Sequence, residues 1–140
     1  MFTVDKTKGT ITMHRGDTGA YKVRASRKSG TAFTANDRML FTVKAGDEIK
    51  IQRFYRLDTD LGNGVTVIQF HNNDTDTWAD GTYSMERRYI VEPRWEGGEA
   101  PDGDVVNALT AGVRICEGDI VRTPLIGQGS ITIQHVIGEV

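Results

Sequence analysis

Apolar and polar residues alternate along five stretches of the first 92 residues, the period of a strand with one face in a core and one in water. In Thr10 to His14, Ile11 and Met13 share a face, and in Ala20 to Ser26 Tyr21, Val23 and Ala25 alternate with Lys22, Arg24 and Ser26. With the turn Arg15-Gly16-Asp17-Thr18 between them, these read either as a strand pair or as one kinked strand that switches sheets. Arg38 to Lys44 puts Met39, Phe41 and Val43 inward with Leu40 as the exception, and Ile49 and Ile51 continue the pattern. The alternation slips at Arg53-Phe54-Tyr55, which predicts a bulge or a residue covering a sheet edge. The chain is organised around Val65 to Glu92, where a run ending at Phe70 leads through the polar corner HNNDTDTWADG to Thr82, and Tyr83, Met85, Tyr89 and Val91 then alternate. Trp78 is placed to fold back over the core from that corner, and Tyr83 to pin it through its hydroxyl.

These stretches, separated by turns of Gly, Asp and Asn and without a long 3.6-residue period, predict an all-β antiparallel sandwich. Leu57 to Gly64 reads as a polar loop. Beyond Pro93 a Gly-rich, acidic segment follows, and Asp104 to Ala111 reads as a short helix with Asp104 as N-cap, Val105, Val106 and Leu109 as its apolar side, and Gly112 as its stop. Val113 to Cys116 and Ile120 to Thr123 suggest a hairpin around Glu117-Gly118-Asp119, and Ser130 to Ile137 a closing strand with an ordered C-terminus. The whole, residues 1–140, reads as one domain.

Charge changes this picture little. The formal net charge is -2; residues 1–92 carry 14 basic and 12 acidic groups (+2), and 93–140 carry 3 and 7 (-4). Neither nucleic acid nor an anionic membrane is recommended as a partner. Cys116 is the single cysteine, so an internal disulfide is excluded. The N-terminal MFTVDKTKGT does not read as a signal peptide, and the apolar runs are short against a bilayer.

Candidate chemistry is sparse. Arg15-Gly16-Asp17 spells the tripeptide of integrin ligands, but Gly-Asp is ordinary turn chemistry. Asp58, Asp60 and Asn63, and separately Asn72, Asp74 and Asp76, space oxygens as calcium loops do, yet neither run has the glycine and the acid that complete such a loop. His14, His71 and His135 share no ligand spacing, and no nucleophile elbow or nucleotide cradle is present. No residue is expected to be catalytic, to bind a cofactor or to ligate a metal. Trp95, among glycines and acids in the 93–112 loop, is either an aromatic anchor for a partner or tucked over its own sandwich.

The succession Ile11-x-Met13-x-Arg15-Gly16-Asp17-Thr18-Gly19, Leu40-Phe41-Thr42-Val43-Lys44, Asp74-Thr75 and Asp80-Gly81-Thr82-Tyr83 resembles the immunoglobulin-like N-terminal domain of phage baseplate upper proteins and related small prophage proteins. The resemblance covers roughly residues 9–92. It implies an immunoglobulin-like sandwich, and a non-catalytic structural or interaction module of a phage or prophage tail or baseplate. It further implies synthesis in the bacterial cytoplasm followed by incorporation into the virion, with other tail proteins or further copies as partners. The segment from Trp95 to Thr123 departs from the family pattern, and the resemblance thereby implies that 93–129 is inserted before the last strand. A bacterial surface or carbohydrate-binding β-sandwich module is the alternative.

Overall fold

Alternation becomes strand at each of the five stretches. The structure, a computed structural model, describes residues 1–116 and 128–134. Its first half holds β1 (Thr3–Asp5), β2 (Thr10–His14), β3 (Gly19–Arg24), β4 (Arg38–Ala45) and β5 (Glu48–Arg56). A small ribbon, β6 (Asp58–Thr59) and β7 (Gly62–Asn63), lies in the expected polar loop and leads to β8 (Val65–Phe70), α1 (Asn72–Thr75) and β9 (Gly81–Ile90). Then come β10 (Trp95–Glu96), β11 (Gly103–Asp104), α2 (Val105–Thr110), β12 (Arg114–Ile115) and β13 (Gln128–Gln134). With 52% of the described residues in strands and 8% in helices, the chain is all-β.

One sheet runs β1-β2-β13-β9-β4-β5-β11, and β3 pairs with β8 in a second. All the large sheet's pairings are antiparallel except β2 with β13, which run parallel. That parallel pair joins strands from opposite ends of the chain, so no tight turn has to connect them. Of the two readings of the first runs, the kinked strand holds: β2 lies in the large sheet and β3 in the small one.

Between the sheets lies the main core. Ile11 and Met13 of β2, Met39, Phe41 and Val43 of β4, Tyr83, Met85 and Tyr89 of β9, and Ile131 and Ile133 of β13 meet Tyr21, Val23, Ile68 and Phe70 of the small sheet. The Phe41 ring stands edge-on to Phe70 and to Tyr55, at centroid distances of 6.1 and 6.2 Å. Phe2 plugs one side, its ring 5.7 Å from Phe70 and so close over Gly19 that any β-carbon there would collide with it.

The large sheet also has an outward apolar patch, and residues 93–115 fold back over it. Leu40, Phe54 and Ile90 pack there against Trp95, Val105, Ala108, Val113 and Ile115. The slip at Arg53-Phe54-Tyr55 marks this change of face, and β11 covers the sheet edge there, with Gly103 opposite Phe54. The bulge lies elsewhere: Val43 pairs with Ile51 and Lys44 with Ile49, leaving Lys50 as the extra residue. That extra residue turns Ile49 to the outward face, where it is 51% exposed instead of continuing the core.

The helix of the insert forms where expected but presents another side. Val105 and Ala108 face the patch, while Val106 and Leu109 are 71% and 61% exposed. Asp104 holds the N-cap position, but its carboxylate bonds Arg53 and not the helix amides. Gly112 closes the helix at φ 82°, with its own N–H donating to the Leu109 carbonyl and that of Val113 to Ala108, a Schellman arrangement. Arg114–Ile115 pairs with Trp95–Glu96. Residues Glu117 to Thr123 of the expected hairpin, together with His135, Ile137 and the C-terminal end, lie outside the described residues.

Two adjacent charged residues fasten the insert. The Arg38 guanidinium, 3% exposed, donates to the carbonyls of Ala35, Asp37, Ala100 and Pro101 and pairs with Asp102 at 3.1 Å. The buried Asp37 carboxylate accepts the amides of Thr34 and Glu92, both at 2.8 Å, and the latter bond holds Glu92 at φ 55°. Removing the guanidinium leaves several buried carbonyls without a donor. Arg38→Ala is therefore expected to lower unfolding free energy by about 3 to 5 kcal/mol in a denaturant titration. Limited proteolysis of the variant should cut first within 93–104; a wild-type cleavage pattern would show that the guanidinium does not hold the insert.

Candidate functional site

The Arg15-Gly16-Asp17 turn does not project. Asp17 closes it with its N–H on the His14 carbonyl at 3.1 Å, and its carboxylate accepts the His14 amide at 2.8 Å and the N-terminal amine at 2.7 Å. Gly16, at φ 80°, donates its N–H to the Thr75 hydroxyl at 2.9 Å. Arg15 reaches across to the Asp80 carboxylate at 2.8 Å and the Trp78 carbonyl at 3.3 Å. All three residues of the tripeptide are thus tied inward, as turn chemistry would have them.

The far side of this contact is the polar corner between β8 and β9. Its residues 72–75 form the one-turn helix α1. Trp78 is buried with its ring 4.8 Å from that of Tyr83, and the Tyr83 hydroxyl donates to the Ala79 carbonyl at 2.7 Å. A tyrosine that reaches back four residues locks the chain's entry into β9.

Asp74 of α1 accepts the His71 amide at 2.8 Å and takes both terminal nitrogens of Arg53, at 2.6 and 3.3 Å. Arg53 Nε also donates to Asp104 at 3.0 Å, so one guanidinium on β5 joins the corner to the start of α2. Burial alone would lower the Arg53 pKa, but its two carboxylates outweigh it and hold the group above its ordinary value. Burial pushes the Asp74 carboxyl up; the Arg53 pair and the His71 amide prevail and keep it below the usual carboxylate range. Arg38 is shifted down, burial being the main cause.

The oxygen-rich loops are occupied by these and similar contacts. The Asn63 side chain spans the Phe33 backbone, accepting its N–H and donating to its carbonyl, both at 2.8 Å. Asp58 lies 3.7 Å from Arg56, and together with Thr59 and Asp60 these residues line a shallow depression of about 340 Å³. Among the described residues no group of three His, Cys, Asp or Glu side chains could hold a metal ion. His14 lies opposite Gln134 on the large sheet and His71 precedes α1. Cys116 donates its thiol to Glu96, 3.0 Å away.

Trp95 takes the second of its two readings. Its ring stands edge-on to Phe54 at 5.5 Å and its Nε1 donates to the Asn36 carbonyl at 2.9 Å, so it anchors its own insert. The sequence analysis missed Asp37, Arg38 and Arg53 as organising residues. Arg53 had a signal in the broken alternation; the partners of Asp37 and Arg38 are mostly backbone groups, which no side-chain pattern announces.

No family model matches the chain, and neither a curated protein nor a solved structure is similar to it. The arrangement itself is the guide to function.

Two outcomes are expected at this corner. Tyr83→Phe should cost about 1 kcal/mol and Trp78→Ala about 3 to 5 kcal/mol in denaturant titrations; variants that melt with the wild type would mean the corner is decoration. Because Asp74 titrates lower folded than unfolded, its stabilising effect is complete above about pH 4 and is lost as pH falls through the folded value. Denaturation midpoints measured from about pH 6 down to pH 2 should fall along an acid limb that Asp74→Asn makes shallower, with the variant less stable at neutral pH.

Proposed function

We propose that the chain is an immunoglobulin-like sandwich acting as a non-catalytic structural or interaction module of a phage or prophage tail or baseplate. The observation that carries this reading is the corner. The short motifs through which the sequence resembles that family, Arg15-Gly16-Asp17, Asp74-Thr75 and Asp80-Gly81-Thr82-Tyr83, lie some 60 residues apart, yet they bond to one another through Gly16 and Thr75 and through Arg15 and Asp80. Residues shared for architecture should behave so.

Strand order supports the fold name. Immunoglobulin-type sandwiches set strands G, F and C side by side in one sheet, and B with E in the other. Here β13, β9 and β4 occupy the first set of places and β3 and β8 the second. Tyr83 stands near the start of the strand in the F place, where a tyrosine corner belongs. The insert over the outward face is this chain's own addition.

Such a module works by being incorporated. Expressed with the neighbouring genes of its cluster, the protein is expected to sediment with tail or baseplate particles on a density gradient. A strict monomer that joins no particle, and that hydrolyses a glycan or peptide panel, would overturn the reading in favour of an enzyme.

A further inference from the structure

We propose that the outer edge of β3 is a docking edge for an extended acidic strand of a partner protein; the inference deepens the interaction-module reading and rests on it. Among the described residues β3 pairs only with β8, along all six residues from Gly19 to Arg24. Other borders are capped or end in short strands; β5 is paired by β11 at Arg53 and Phe54, and its open part begins with the carboxylate of Glu48, which opposes an acidic strand. The far side of β8 is capped by side chains, with Arg53 reaching the Gln69 carbonyl, Thr59 that of Val65, and Thr66 returning to Arg56. The two ends of the large sheet are β1, of three residues, and β11, of two.

Backbone direction follows from one bond. Ala25 donates its N–H to Gly64 on the β8 side, so every second residue before it, Val23, Tyr21 and Gly19, is turned the same way. The N–H and C=O groups of Ala20, Lys22 and Arg24 therefore point away from β8, the ladder that a further strand would complete. Their side chains are exposed, whereas Tyr21 and Val23 lie in the core, so the edge can be used without opening the sandwich.

Charge selects the occupant. The outward positions of the small sheet are Ala20, Lys22 and Arg24 on β3 and Gln69, Val67 and Val65 opposite them, which gives two cations and no carboxylate. A second copy pairing antiparallel through the same edge would set lysine and arginine beside lysine and arginine, an arrangement that like-charge repulsion opposes. An added strand with Glu or Asp at alternate positions meets those cations across the ladder. Edge lysines are a common guard against self-association, and here the same charges admit an acidic strand.

The test is an NMR titration of the labelled full chain with capped peptides of about seven residues, one alternating Glu with Val and the other Lys with Val. Expected are shifts centred on the amides of Ala20, Lys22 and Arg24 with the acidic peptide only. Lys22→Pro removes an outward N–H without touching the β8 ladder and should keep the fold while abolishing binding. The double variant Lys22→Glu, Arg24→Glu should lose at least about tenfold in affinity for the acidic peptide and gain for the basic one. Shifts centred elsewhere, equal binding of both peptides, no binding, or a dimer formed through β3 would overturn the proposal. The two readings fail separately: peptide bound at β3 by a chain that joins no particle refutes the tail role, and a chain in the particle that ignores the peptide refutes the edge.

Discussion

Burial of Asp37 and Arg38 side by side is the constraint around which the upper half of the molecule is arranged. Taking either charge out of water costs several kcal/mol, and a direct pair would return only part of that. The chain instead gives each group its own set of backbone partners: amides for the carboxylate, carbonyls for the guanidinium. Those partners come from the segment before β4, from the end of β9 and from the insert. Three stretches far apart in sequence must therefore be in place at once, and among the described residues no buried side-chain nitrogen or oxygen is left without a partner. Even the strained backbone of Glu92 fits this scheme, since a left-handed residue there, costing about 1 kcal/mol, delivers its N–H to Asp37.

The outward face of the large sheet divides accordingly. Around Leu40, Phe54 and Ile90 it is apolar, and the insert covers it there with Trp95, Val105 and Ala108. Toward β1 it is a ladder of hydroxyls: Thr3, Thr12, Thr132 and Thr82 stand in register on four neighbouring strands, with the last two Oγ1 atoms 3.3 Å apart. β-branched hydroxyl residues suit a pleated face in contact with water and pair well across strands. Only the apolar half needed a third layer, and the insert supplies one of matching extent.

This division explains what the sequence could reveal. Period two is a local property, so the inward residues of β2, β3, β4 and β9 could be read without knowing their neighbours. Which sheet a strand joins, and whether its other face is also covered, depends on residues tens of positions away. Leu40 looked like an exception and Phe54 like a slip because the layer that buries them is made of residues 95–115. Val106 and Leu109 were expected inward on helical spacing, yet a six-residue helix has one contact stripe, and Val105 with Ala108 fills it. Ile49 failed for a smaller reason: one bulged residue reverses the parity of everything before it on the strand.

The corner shows how a three-letter motif acquires its meaning from tertiary contact. Read alone, Arg15-Gly16-Asp17 offers a cation and an anion on a tight turn, which is what a receptor would recognise. In the folded chain the cation is spent on Asp80, the anion on the His14 amide and the N-terminus, and the glycine amide on Thr75. Those bonds join β2, in the large sheet, to the corner that carries the chain out of the small one, so they fix the offset between the two sheets at that end. Losing a residue here would expose no binding partner; it would release the corner that Trp78 and Tyr83 close from inside. With its groups consumed this way the motif acts through its geometry, and the edge proposed for docking, the outer border of β3, is one whose outward backbone groups no other described strand takes.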